Sequence, residues 1–391
     1  MKKLFWGVDG SKISLYNTDI EIDYARFSPF QDKIMGFRAE SFSKLPPRKR
    51  EGRHGMVTIT DISRKCSVSR ATVSKALNGH SDINAETAEH IRQVAKEMGY
   101  LPNATARALK MGRSHNIGVL FVDQTASGLA HEFFSRILES VKQEAERSGY
   151  DITFISRDIG AMSMDYYEHA KYRNCDGVII ASVDFTDPAV IKLVNSEIPT
   201  VTMDYVFDSH SAVMSDNVLG MDELVRFVYG KGHRKIAFIH GERTSVTLKR
   251  LASFRKTCVE LGLSIPEEYI EEASFHDPKS SGLATRRLLA LKERPTCILY
   301  PDDFSFIGGM NELERQGIAI PGDMSVAGYD GILLSQVLRP RLTTYQQDTE
   351  AMGREAAREL VEIIERPKEW IPRQITIPGR LLEGDTVRDI R

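Results

Sequence analysis

No uninterrupted apolar run in this 391-residue chain approaches the ~18 residues that a membrane helix needs, so no membrane partner is expected. Lys2 and Lys3 lead only into residues 4–8 before Asp9 intervenes, too short for the apolar core of a secretory signal. A cytoplasmic protein is expected. Cysteine is scarce as well. Cys66, Cys175, Cys258 and Cys297 are isolated from one another in apolar or helical contexts, which reads as buried thiols in a reducing compartment rather than a disulfide framework or a metal site. Catalytic signatures are also missing: no nucleophile–base motif and no glycine-rich phosphate loop occurs, and Asp9-Gly10-Ser11-Lys12 has the wrong glycine spacing for one. Enzymatic activity is therefore not expected, and nothing calls for a cofactor. The C-terminal stretch around Ile375-Thr376-Ile377-Pro378 carries no leucine heptads, which argues against a coiled-coil tetramer.

What is present is an ordinary apolar content of 41% with 27% charged residues, enough for real cores. At ~150 residues per domain the length allows two or three domains. The net charge of −2 hides an uneven distribution. Residues 1–55 hold eleven Lys/Arg against seven Asp/Glu, and residues 56–112 hold eight against five, so the rest of the chain is acidic. A basic end on an acidic body suits a protein that offers one end to phosphates. Residues 1–55 have no sustained period and contain three prolines. They are expected to be disordered, or to be upstream sequence read through from an early start codon, with a basic arm as the functional alternative.

Residues 58–79 read as two short helices joined by a tight polar turn. Thr58 caps the first, which turns Ile59, Ile62 and Cys66 inward; Ser69 caps the second, which returns Val73, Ala76 and Leu77 to the same core. Asn84 caps a third helix with Ile91, Val94, Ala95 and Met98 at helical spacing, and Gly99 stops it. A helix-turn-helix of this form places its second helix in the DNA major groove. From residue 114 onward, strands alternate with helices. Continuous apolar runs at 117–122, 152–155, 177–181 and 200–203 suit parallel strands buried on both faces. A second set follows, with strands at 236–239, 297–300 and 325–327 and helices at 217–230, 247–261 and 304–316. The expected fold is α/β: an N-terminal all-α helix-turn-helix head at 56–102, a hinge at 103–113 and a two-lobed doubly wound body at 114–391.

Several ordered motifs carry a resemblance. They are Val68-Ser69-x-x-Thr72-Val73-Ser74-x-x-Leu77-Asn78, Tyr100-x-Pro102-Asn103-x-x-Ala106-Arg107-x-Leu109, residues 232–239, Arg250-Leu251-x-x-Phe254, Ser325-Val326-x-Gly328-Tyr329-Asp330 and Leu342-Thr343-Thr344. Together they make the chain resemble the LacI/GalR family of bacterial transcription regulators. The resemblance implies a homodimeric repressor of a pseudo-palindromic double-stranded DNA operator, with a body like periplasmic binding proteins that senses a small molecule, expected to be a sugar. It also implies that the chain crosses back near Thr344, so that residues 349–364 pack on the first lobe. A two-lobed sugar-binding transport-type protein is the alternative, but it would have no use for residues 58–111.

The same resemblance assigns site residues. Arg70, Ala71 and Lys75 take positions where relatives read base edges, by donation to guanine or contact with a thymine methyl. On composition alone, an outward Arg70 and Lys75 fit a solvated helix face equally well. Thr58, Ser69, Thr72, Ser74 and Asn78 are expected to position the backbone, joined by Asn103 and Arg107 of the hinge. Leu109 matches a leucine wedged into the minor groove. Between the lobes, Arg250 matches a ligand-clamping arginine, Asp303 an acceptor for ligand hydroxyls, and Phe275 a stacking ring, its loop at 275–282 looking one residue longer than in some relatives. Phe133 and Asp204 are further candidates from the first lobe. An interlobe salt bridge between Arg250 and Asp303 is the plain alternative.

Residues 103–110 are far too few for an isolated helix, which needs ~12–15 residues, so the hinge helix should form only when two copies pack together on DNA. Leu109→Ala is accordingly expected to weaken specific DNA binding while leaving small-molecule affinity unchanged. Operator titrations that show equal affinity for both proteins would remove the wedge.

Overall fold

The computed structural model describes residues 57–80, 82–101, 112–122 and 127–391. The extension at 1–55 and the hinge residues Asn103, Arg107 and Leu109 lie outside these. The chain divides into two compact units, Met1–Pro102 and Asn103–Arg391.

In the first unit, helices α1 (Ile59–Cys66), α2 (Arg70–Leu77) and α3 (Ala85–Glu97) begin at side-chain caps. Thr58 forms a reciprocal capping box with Asp61, Ser69 Oγ accepts the Thr72 N–H at 3.0 Å, and Asn84 Oδ1 accepts that of Glu86 at 2.8 Å. Each such cap contributes ~1 kcal/mol. The α1–α2 turn passes through Ser67 in the left-handed region, at φ 56°. Ile62, Val73, Ala76, Ile91, Val94 and Ala95 form one core, with Ile59, Cys66, Leu77 and Met98 half-buried around it. The expected inner residues of all three helices thus meet.

The second unit holds two six-stranded sheets. The first contains β1 (Asn116–Phe121), β2 (Asp151–Ile155), β3 (Gly177–Ser182), β4 (Thr200–Met203), β5 (Ser211–Ser215) and β11 (Gln374–Ile377), in the order β11-β5-β4-β3-β1-β2, parallel throughout. The other contains β6 (Ile236–His240), β7 (Ile270–Glu272), β8 (Cys297–Leu299), β9 (Ser325–Asp330), β10 (Thr343–Gln346) and β12 (Arg380–Leu382), in the order β12-β10-β9-β8-β6-β7. Only β12 pairs antiparallel there. The two-lobed doubly wound body is therefore the architecture found. Cys258 and Cys297 are buried and Cys66 and Cys175 half-buried, all as free thiols. No helix among the described residues is long and apolar enough to cross a membrane.

The helices α4 (Glu132–Arg147), α5 (Tyr166–Tyr172) and α6 (Pro188–Val194) serve the first lobe. Helices α7 (Asn217–Gly230), α8 (Ser245–Glu260), α9 (Pro278–Ala290), α10 (Phe306–Arg315) and α11 (Leu333–Val337) follow. Met221, Leu224 and Val225 of α7 share a core with Phe238, Phe254 and Tyr329, so the chain has already entered the second lobe by residue 217. It returns at 346–349, and α12 (Thr349–Glu365) lays Met352, Ala356, Ala357 and Leu360 into the first core against Ile137 and Val141 of α4. It crosses again at 377–380 into β12. The crossing expected near Thr344 is present, two residues beyond it.

Sequence patterning missed β5, β7, β10, β11 and β12. These are short, and in β5 and β11 small or polar residues interrupt the apolar run. The loop expected over 275–282 is shorter, because α9 starts at Pro278 with Asp277 as its cap.

The α4–α12 contact rests on a close approach. A Cβ added at Gly353 would lie 2.4 Å from the Ile137 carbonyl oxygen and 2.7 Å from Ser140 Cβ. Gly353→Ala should therefore destabilise the body by about 1–3 kcal/mol despite better helix propensity, seen as a lower urea midpoint; a raised midpoint would show that the helices part without cost.

Candidate functional site

On α2 the outward residues are Arg70, Ala71 and Lys75, all exposed, while Thr72 and Ser74 are half-buried beside them. Ser69 is engaged as the cap, its hydroxyl 2.8 Å from Thr72 Oγ1. Asn78 donates its amide to the Ser74 carbonyl at 2.6 Å, closing the helix end. The Thr58 hydroxyl lies 2.7 Å from Asp61 Oδ2, within the α1 cap. Lys75 is ion-paired with Asp82 from the α2–α3 connection. The helix thus presents two cations and a methyl on one face, bordered by small polar groups. That is the chemistry needed to meet base edges and phosphates.

The second site lies where the strands of both lobes end. Arg250, on α8, is 4% exposed and is the only buried lysine or arginine among the described residues. Its Nε donates to Asn217 Oδ1 at 2.6 Å and its Nη1 to the Pro301 carbonyl at 2.8 Å. The guanidinium lies 3.5 Å from the centre of the Tyr329 ring and 5.8 Å from that of Phe275. Asp330, just after that tyrosine, holds Oδ1 4.0 Å from Arg250 Nη2 and accepts the Gln347 amide at 2.6 Å. Burial pushes the Asp330 carboxyl up to about 7, against the pull of Arg250.

Asp204 follows β4. Its carboxylate accepts the Ser215 N–H at 2.9 Å, and its carbonyl accepts the hydroxyl of Ser245 on α8 at 2.5 Å, a contact between lobes. Burial raises its carboxyl too, and Arg250 opposes the shift. A further interlobe bond runs from the Leu333 N–H to Glu132 Oε1 at 2.7 Å.

Asp303 occupies a different setting from the ligand acceptor expected of it. It is 1% exposed, and both oxygens are taken by the protein: Oδ1 by the Thr344 hydroxyl at 2.6 Å, Oδ2 by the Ile332 N–H at 3.0 Å. Burial raises this carboxyl well above its ordinary range. It does not pair with Arg250. Asp302 points elsewhere, accepting the Ser305 N–H at 2.7 Å and the His276 N–H at 2.9 Å.

Phe275 lies over Gly241, where a Cβ would come within 2.2 Å of the ring, and its N–H donates to Glu242. The next ring reaches further. His276, at φ 54°, stacks between His131 at the start of α4 and Phe304 after β8, with centroids 3.9 Å away on each side. Phe133 is buried in the first core and lines a cavity of about 370 Å³ at the lobe boundary, together with Arg136, Asp330, Gly331, Gln347 and Thr349. Sequence reading gives Asp330, His276, Asn217 and Gln347 no role in the site, although Asp330 closes one of the motifs that carry the resemblance. The first had a usable signal, since a carboxylate that ends an apolar strand belongs at the carboxyl edge of a parallel sheet, where ligands bind.

Comparison with known proteins identifies both parts of the chain. Residues 58–103 match the model of bacterial regulatory proteins, lacI family, and residues 225–387 match that of the periplasmic binding protein-like domain. The HTH-type transcriptional repressor PurR of Vibrio cholerae serotype O1 is 31% identical over 340 residues, 86% of this chain and 99% of that protein. Among solved structures, the lac repressor dimer bound to operator and the anti-inducer ONPF superposes with a TM-score of 0.72 at 23% identity, over 85% of this chain and 99% of that one. The transcriptional regulator CelR–cellobiose complex reaches 0.63 at 24% identity, over 84% and 99%. These likenesses show the fold. With a relative at 31% identity over nearly its full length and the family's own model on its helix-turn-helix, the chain belongs to the lacI family of bacterial regulatory proteins and is a DNA-binding transcription regulator.

Proposed function

We propose that the protein is a repressor that binds a pseudo-palindromic operator as a homodimer in the cytoplasm, and that a small polyhydroxylated metabolite held between the lobes controls this binding. The observation that carries the reading is Arg250: a buried guanidinium joined to Asn217, Pro301 and Asp330 beside a cavity that opens at the lobe boundary. A carboxylate and a guanidinium side by side suit hydroxyl recognition, because charge-assisted hydrogen bonds are the strong ones. CelR with cellobiose and the lac repressor dimer on its operator lend support as relatives of the same fold.

In this reading Arg250, Asp330 and Asp204 meet the ligand, Phe275 and His276 supply rings for its apolar face, and Phe133 closes the first-lobe side. Asp303 acts one step back: it fixes the ends of β8 and β10 and the turn after β9 through Thr344 and Ile332. A ligand that changes the spacing of the lobes must rearrange the Ser245–Asp204 and Leu333–Glu132 bonds. The hinge residues Asn103, Arg107 and Leu109, which lie outside the described residues, are the expected route by which that movement reaches the head. In the head, Arg70, Ala71 and Lys75 read bases, and Thr58, Ser69, Thr72, Ser74 and Asn78 set the register on the backbone.

A thermal-shift panel of neutral sugars and nucleobases tests the effector claim. A ligand at a hundred times its Kd should stabilise the wild type by ~2.7 kcal/mol, alter its DNA affinity, and lose most of its shift with Asp330→Asn. If no compound in either class stabilises the protein, the sensor role falls.

The raised carboxyls give a pH signature. An acid whose folded pKa lies above its unfolded value of ~3.9 binds more protons when folded, so its contribution to stability is full below pH ~4 and declines until the folded pKa is passed. For Asp330 that window ends near pH 7, and Asp204 and Asp303 act in the same sense. Melting temperature should therefore rise for Asp330→Asn relative to wild type between pH 4 and 7 and run parallel above. Parallel curves across the whole range would mean that Asp330 is ionised throughout.

A further inference from the structure

The head carries several exposed cations, and the way each is paired differs. Arg64 pairs with Asp61 and Arg92 with Glu89, each within one turn of its own helix. Such pairs belong to the solvated surface of an isolated helix. Arg70, on the first turn of α2, has no acidic partner among the described residues. Lys75, two turns into the same helix, pairs with Asp82, seven residues on and beyond the end of α2. Helical periodicity does not create this contact; the α2–α3 connection brings it about. The Lys75 hydrogen bond holds the Asp82 carboxyl below its ordinary range, so Asp82 carries its charge at neutral pH. Both side chains are half-exposed on the face that α2 offers outward.

We propose that Asp82 is a specificity-determining residue for DNA recognition, acting as a positioning group that makes Lys75 a base reader rather than a phosphate contact. The inference rests on α2 being the helix that enters the major groove. A lysine ammonium has three N–H donors and one charge. Asp82 takes one donor and compensates the charge, leaving two donors to meet a base edge that carries two acceptors, such as guanine O6 and N7. A backbone phosphate gives Lys75 little by comparison, since reaching it exchanges one anion for another and leaves the Asp82 carboxylate facing a polyanion. Arg70, with no such partner, keeps its full charge toward the DNA. Asp82 thus lowers affinity for DNA of arbitrary sequence more than affinity for the operator, and so widens the gap between the two.

The experiment uses the full chain and two fluorescent duplexes of equal length, one of random sequence and one selected by the wild type from a random pool. Anisotropy titrations are run over a range of salt. Asp82→Asn is expected to tighten binding to the random duplex about threefold or more, to steepen its slope of log K against log salt by ~0.9, the value for one added phosphate contact, and to reduce the preference for the selected duplex. The same substitution in a Lys75→Ala background should change none of these. An equal gain with and without Lys75 would overturn the proposal, because the effect would then be long-range charge alone; unchanged slope and preference in Asp82→Asn would overturn it too. A wild type that selects no duplex from the pool would instead fail the reading of α2 as the DNA helix, so the two failures are distinguishable.

Discussion

The body of this protein depends on one buried charge. Taking a guanidinium out of water costs several kcal/mol, and Arg250 recovers this only because partners from separate parts of the chain converge on it. Asn217 begins α7 just after the chain enters the second lobe, Pro301 follows β8, and Tyr329 and Asp330 end β9. Removing any one leaves a polar group uncompensated in a low-dielectric interior, which is costly. Arg250 therefore orders the strand ends that form the second-lobe wall of the cleft. The same constraint explains why the carboxyls there are raised: burial pushes up Asp204, Asp303 and Asp330 alike, and Arg250 opposes the shift only at Asp204 and Asp330.

On both sides of the cleft the backbone also leaves its usual conformations. Asp204, His276 and Asp330 all have positive φ, at 55°, 54° and 98°. Asp330 ends its strand and the other two follow theirs, and each turns its side chain or carbonyl toward the lobe boundary. Non-glycine residues in this region carry a cost of order 1–3 kcal/mol, offset here by hydrogen bonds from Ser215, Ser245 and Gln347 and by the His131–His276–Phe304 stack. Three residues at the lobe boundary thus hold backbone geometry that is unfavourable alone and is fixed by their packed partners.

The head follows a different economy of forces. It is small, its core is a handful of aliphatic side chains, and its helices begin at caps that the sequence announces. Nearly everything needed to position α2 is local. What is not local is the Lys75–Asp82 pair, which arises from the way the α2–α3 connection turns back beside the helix.

Much was therefore legible in the residues themselves. Thr58, Ser69 and Asn84 start their helices because a side-chain oxygen next to a bare N–H is a local event, and the inward positions 62, 73, 76, 91 and 94 follow from helical period alone. Runs such as Gly177–Ser182 declare buried parallel strands for a similar reason. Short strands with polar residues, β5 and β11, declare nothing, because their burial comes from neighbours far along the chain. The cleft divides in the same way. Arg250, Asp204 and Asp303 could be named from sequence, but whether a carboxylate faces a ligand or the protein depends on which donors reach it. Thr344 and Ile332 reach Asp303, whereas Asp330 keeps its place beside Arg250 and the cavity. Local hydrogen bonding and periodicity determined the elements; the direction of each buried polar group was decided only when distant segments packed together, because its partners come from those segments.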